Sequence, residues 1–104
     1  MAQTSWEITM NFRSAIRQAE RLESVAEQMN SMAQQRFSAS IQELSVGWKG
    51  ENANAYLRKC ESLKQKIGET AKQLRGVAAD IRSIAQRTYD AEMAALRIAQ
   101  ERNY

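Results

Sequence analysis

Few residues in this chain have chemistry to offer. There is one cysteine, Cys60, and no histidine. A thiol acting as a nucleophile needs a neighbouring base to activate it, and a zinc site of the usual Cys/His type needs several such ligands. Cys60 falls on an apolar helical stripe and reads as an inert buried thiol. Asp90 and Glu92 are the carboxylates closest to a pair that could share acid-base work. Two residues apart on a helix, they point to different faces. The expectation is therefore a protein that is not an enzyme, with no catalytic residue, no metal and no cofactor.

Basic residues offer a second possibility. Arg58, Lys59, Lys64, Lys66, Lys72 and Arg75 crowd into one stretch, where they could meet phosphate on nucleic acid or on a lipid surface. Aromatic rings that might stack on bases are not interleaved with them. The net charge of +3 and pI near 9.3 are mild for a dedicated nucleic-acid binder. These side chains read as a solvated helix face, and no specific nucleic-acid partner is expected.

The elements that position these residues are two long arms without a proline. On the first, apolar positions run Ile8, Phe12, Ala15, Ala19, Leu22, Ala26, Met29, Ala33, Phe37, Ile41 and Leu44 in steps of three or four, the mark of one helical stripe. Thr4 or Ser5 is available as an N-cap, with Glu7 in the first turn, where the helix dipole favours an acid. Steps of four from Met29 to Ile41 break the heptad and loosen any supercoil there. On the second arm, Ala53, Tyr56, Cys60, Leu63, Ile67, Thr70, Leu74, Val77, Ile81, Ile84, Thr88, Ala91, Ala95 and Ile98 alternate steps of three and four without a charge. That is a coiled-coil-like pattern. Gly68 and Gly76 lie off this seam, at positions where a neighbour could approach closely.

Between the arms lies Val46-Gly47-Trp48-Lys49-Gly50-Glu51. Gly47 stands where a helix ends and a left-handed residue can close orphan carbonyls, and Gly50 relieves a second bend. An indole buries roughly 150 to 250 Å² when it packs, so Trp48 is expected to fold back over the ends of both arms and fasten the turn.

The predicted architecture is all-α. It has one domain over 1–104, with helix 1 over about 6–45, a turn over 46–51 and helix 2 over about 52–100, forming an antiparallel hairpin. Each arm would extend roughly 55 to 75 Å at about 1.5 Å per residue. A lone hairpin covers one seam only. The small residues Ala15, Ala19, Ala26 and Ala33, with stripe flanks at Ile16, Val25 and Met32, call for a wider partner surface. Two hairpins are therefore expected to associate into an elongated four-helix bundle, as a homodimer or as a heterodimer with a related small hairpin. Phe12, Leu22, Met29, Tyr56, Leu63, Ile67 and Leu74 are the candidate core or dimer contacts.

Trp48-x-Gly50 at the midpoint of a chain of 104 residues, followed by Ala53, Ala55 and Tyr56, resembles the WXG family of early-secreted-antigen-like (ESAT-like) proteins. That resemblance covers nearly the whole chain. It implies a small substrate or helical partner of a type VII secretion system, made in the cytoplasm and exported folded without a cleaved signal peptide. It also implies a secretion ATPase as a partner. The first residues lack the basic start, apolar core and cleavage site of a signal peptide, and no run approaches the roughly 18 apolar residues of a membrane span.

Proteins of that family, or their partners, commonly carry near the end of the second helix a tyrosine followed four residues later by an acid. Here Tyr89 is followed at that spacing by Met93. In its place Tyr89, Met93 and Leu96 form a short apolar strip, expected to lie apart from the core stripe, with Asp90 and Glu92 beside it. This strip is the candidate export or partner-recognition surface, alongside the turn residues Gly47, Trp48 and Gly50. The competing expectation is an intracellular coiled-coil adaptor whose Trp-x-Gly turn is coincidental.

Overall fold

The structure is a computed structural model, and it describes residues 3–102. Every element among them is helical. Helix α1 spans Ser5–Ser31, a π-helical segment follows over Met32–Phe37, α2 spans Ser38–Gly47 and α3 spans Glu51–Glu101. With no proline anywhere in the chain, nothing removes a backbone donor inside the 51 residues of α3.

Thr4 starts α1. Its Oγ1 accepts from the Glu7 backbone N–H at 3.1 Å and donates to the Glu7 carboxylate at 3.3 Å, while the Thr4 carbonyl accepts from Ile8 N–H at 3.0 Å. The Thr4 hydroxyl thereby serves one otherwise unmatched donor of the first turn, the Glu7 N–H.

The break between α2 and α3 differs from the expected turn. Gly47 is the last residue of α2 and does not take a positive φ; among the described residues that conformation belongs to Gly50, at φ 114°. Trp48 is extended (φ −126°, ψ 121°), and its N–H still closes onto the Leu44 carbonyl at 2.9 Å. That bond satisfies the Leu44 carbonyl without any residue in the left-handed conformation at the end of α2. The reversal of backbone sense is delayed to Gly50, whose carbonyl accepts from Asn54 N–H at 3.0 Å and so begins α3.

Two compact units divide the chain, one of Met1–Leu22 with Gly76–Tyr104 and one of Glu23–Arg75. In the first, the buried residues are Ile8, Ala19, Ala78 and Ala85; in the second they are Ala26, Ala33, Ala53 and Ala71. Among the described residues no large side chain is fully buried. Both units are thus centred on alanines with larger side chains half-buried around them: Phe12 and Leu22 in the first unit, Met29, Ile67 and Leu74 in the second. Packed helices stand about 8 to 10 Å apart according to the side chains at the contact, and alanine favours the short end of that range.

This placement corrects the expected seam of α3. Ala53, Cys60, Ile67, Leu74 and Ile81 are covered as anticipated, but Thr70, Ala91 and the large side chains of Tyr56, Leu63, Val77, Ile84 and Ile98 are exposed. The covered line beside the first five is Leu57, Lys64, Ala71, Ala78, Ala85 and Glu92. Two of its residues, Lys64 and Glu92, are charged. Their aliphatic stems can lie along apolar surface while the charged ends reach water, and the three alanines between them admit a close neighbour.

Gly68 and Gly76 also differ from expectation. A Cβ built at either would meet nothing within 4 Å, so neither marks a close approach within the described chain.

Candidate recognition surface

In the second unit, the break between α2 and α3 presents a cluster of apolar side chains. Trp48 stacks against Tyr56 on the second turn of α3, with ring centroids 5.7 Å apart and planes tilted by 53°. The contact is shallow. Trp48 remains 42% exposed and Tyr56 52%, so the indole fastens the break to α3 without burying itself over both arms as expected. Val46 and Leu44 are exposed beside it in sequence. Lys49 and Gly50 complete this short segment, also exposed.

Behind the break, Ser38, Ile41 and Ser45 share the walls of an open groove with Asn54, Leu57 and Glu61 of α3. No residue of α2 is buried. Serine and glutamine occupy positions where a tight helix pair would hold larger aliphatics, and the groove stays open.

In the first unit, Ile8, Phe12 and Ala15 of α1 and Ile81, Ala85 and Tyr89 of α3 line an apolar cavity of about 250 Å³. Tyr89 lies against Phe12, the centroids 5.0 Å apart and the rings tilted by 42°. Tyr89, Met93 and Leu96 are half-buried, whereas Thr88, Ala91, Ala95 and Ile98 are exposed. The strip expected to stand clear of the seam is therefore on the packed side, and the residues expected to pack are on the open side. The cause is the same displaced line of α3 that buries the alanines.

The acids near Tyr89 separate as their spacing requires. Asp90 is exposed and accepts from Gln86 Nε2 at 3.0 Å; Glu92 is half-buried at the edge of the cavity. Cys60 is free and half-buried. Among the basic residues, Arg58, Lys59, Lys66, Lys72 and Arg75 are exposed and Lys64 is half-buried. Among the described residues, no three His, Cys, Asp or Glu gather as metal ligands.

What remains is a surface suited to recognition. In the first unit Val77, Ile84 and Ile98 project from α3; in the second, Tyr56 and Leu63 do. Within each unit these residues fall at multiples of seven, the spacing by which one helix meets another along a seam. Ile84, at 55% exposed, also reaches the rim of the cavity. Their apolar character is plain in the sequence. Nothing in their spacing distinguished a line facing α1 from one facing outward.

The chain belongs to the PPE family, whose model matches residues 9–101. This is a mycobacterial helical family related to type VII secretion substrates, and PPE proteins typically pair with PE partners. No curated protein and no solved structure matches the chain. Membership is thus in the PPE family. No helix among the described residues is long and apolar enough to cross a membrane.

Proposed function

We propose that this protein is a type VII secretion substrate that acts by protein-protein recognition and catalyses nothing. It is made in the cytoplasm and leaves the cell without a cleaved signal peptide, driven by the secretion ATPase of its system. Family membership supports the secretion class. The observation that carries the recognition reading is the apolar side chains that α3 leaves open in each unit, Val77, Ile84 and Ile98 in one and Tyr56 and Leu63 in the other.

The two arms form an antiparallel hairpin that turns at Trp48-x-Gly50, with a further helical hairpin covering these open side chains in a four-helix bundle. Low-numbered residues of α1 share cavity walls with high-numbered residues of α3, which is the pairing an antiparallel hairpin requires. A heterodimer with a PE-type partner accords with the family's habit; a homodimer is the alternative. Light scattering of the protein alone and co-expressed with such a partner separates the two. A homodimer at micromolar concentration, unchanged by the partner, would count against the heterodimer.

Export is tested by mass spectrometry of the culture medium, with and without the secretion ATPase. Full-length protein outside the cell only when the ATPase is present is the expected result. A specific observation favours the second reading, an intracellular coiled-coil adaptor: Met93, not an acid, stands four residues after Tyr89. Strict retention in the cytoplasm under inducing conditions would transfer the assignment to that adaptor.

A further inference from the structure

The covered positions of α1 keep a heptad rhythm as far as the π-helical segment and lose it inside. Ile8, Phe12, Ala15, Ala19, Leu22, Ala26, Met29 and Ala33 are all buried or half-buried, in alternating steps of four and three. An uninterrupted α-helix would carry that series on to Arg36, Ser40 and Glu43. All three are exposed, and the covered residues are instead Phe37, Ile41 and Ser45, each four after the last. The change falls within Met32–Phe37, the π-helical residues. A π turn closes i→i+5 bonds and so takes in one residue more than an α turn.

The return to α-helix at Ser38 has its own device. The Ser38 backbone N–H donates to the Gln35 carbonyl, three residues back. Its hydroxyl donates to the carbonyl of Ala33, five residues back, at 3.1 Å. Ala33 is fully buried, so its carbonyl is poorly placed to find water in exchange. A side chain thus supplies a donor at the five-residue spacing where the backbone reverts to shorter bonds.

We infer that the π-helical segment is a register shifter: it absorbs one surplus residue, so that Phe37 and Ile41 turn inward in place of Arg36 and Ser40, and Ser38 locks it through Ala33. The surplus residue is then dispensable for folding. Removing Gln35, which is exposed, sets Phe37 three residues after Ala33 and Ile41 seven after it. A plain α-helix then presents Phe37 and Ile41 on the face of Ala33. Deleting a residue from α3, which has no such segment, displaces the covered line on one side of the cut.

The test is a cycle of four full-length variants with one control, followed by chemical denaturation and circular dichroism. These are the parent, deletion of Gln35, Ser38→Ala, and the two combined; the control deletes Gln73, exposed in the same unit. Deletion of Gln35 is expected to leave the melting point within about 5 °C of the parent, the shift that roughly 1 kcal/mol produces in a domain of this size. Deletion of Gln73 is expected to lower it several times further or prevent folding. Ser38→Ala should raise the unfolding equilibrium constant by about two- to tenfold in the parent, the effect of one lost hydrogen bond. With Gln35 deleted it should have no effect, because no π turn remains to lock. The inference is overturned if deleting Gln35 is as damaging as deleting Gln73, or if Ser38→Ala costs the same in both backgrounds.

Discussion

Tyr89 and Phe12 face each other across one wall of the apolar cavity in the first unit, their ring centroids 5.0 Å apart and their planes tilted by 42°. A tilted pair at this distance has the geometry in which aromatic rings attract beyond their buried area. A double-mutant cycle with Phe12→Leu and Tyr89→Leu should give a coupling of about 0.5 to 1.5 kcal/mol. Additive losses would mean that the rings do not interact. Because Tyr89 is on the packed side, its substitution should lower stability before it alters export. A variant that melts normally but is not secreted would restore Tyr89 as a directly read surface residue.

Trp48 is held more lightly than an indole in a core. With the ring 42% exposed against Tyr56, Trp48→Ala should cost less than the roughly 3 to 5 kcal/mol of a fully buried tryptophan. A loss of about 1 to 2 kcal/mol is expected, scaled to the part of the ring that is covered. If the proposed recognition role is correct, export should fall far more than that stability loss explains. Secretion at the parent's level from Trp48→Ala would remove the residue from the recognition surface.

The glycines at the break should respond oppositely to alanine. Gly50→Ala forces a side chain into φ 114° and should destabilise by about 1 to 3 kcal/mol. Gly47→Ala places alanine at the end of a helix with nothing within 4 Å of the new Cβ, and should be neutral or slightly stabilising. Denaturant midpoints of the two variants check this directly; equal losses would show that both positions need glycine.

Gly68→Ala and Gly76→Ala should each stabilise the isolated protein by about 0.5 to 1 kcal/mol, because both are helical and neither new Cβ meets a neighbour. The same variants report on a partner. If a second hairpin packs closely at either glycine, the stabilised variant will bind that partner more weakly in a pull-down. Unchanged binding would place the partner elsewhere.

Much of the local structure was legible in residue types. The alternating steps along α1, the absence of proline and the glycines around Trp48 announce two helical stretches and a break near 48, which is where the helices stop and start. The unevenness from Met29 to Ile41 was visible too, as a departure from the heptad, although the sequence alone did not say that a π turn would absorb it. The cap at Thr4 was half legible. Thr4 was a candidate, but the reciprocal contact with Glu7 waited for coordinates.

The candidate surface was less legible, for a definite reason. Tyr56, Leu63, Val77, Ile84 and Ile98 are as apolar as any core residue, and they neighbour the covered line on the same helix. Periodicity records that a helix has an apolar side without saying which edge of that side another helix takes.

From the sequence alone came the helical character, the position of the break and the absence of histidine, because these depend on local propensity, backbone freedom and the bare presence of functional groups. Tertiary structure decided which line of α3 is covered. Alanines at 71, 78 and 85 let a neighbour come close, and that approach outweighed the two charges on their line and left the larger apolar residues open. It also moved the positive φ from Gly47 to Gly50 and turned Tyr89 toward Phe12. Such choices depend on how two surfaces meet, and no single stretch of chain contains that information.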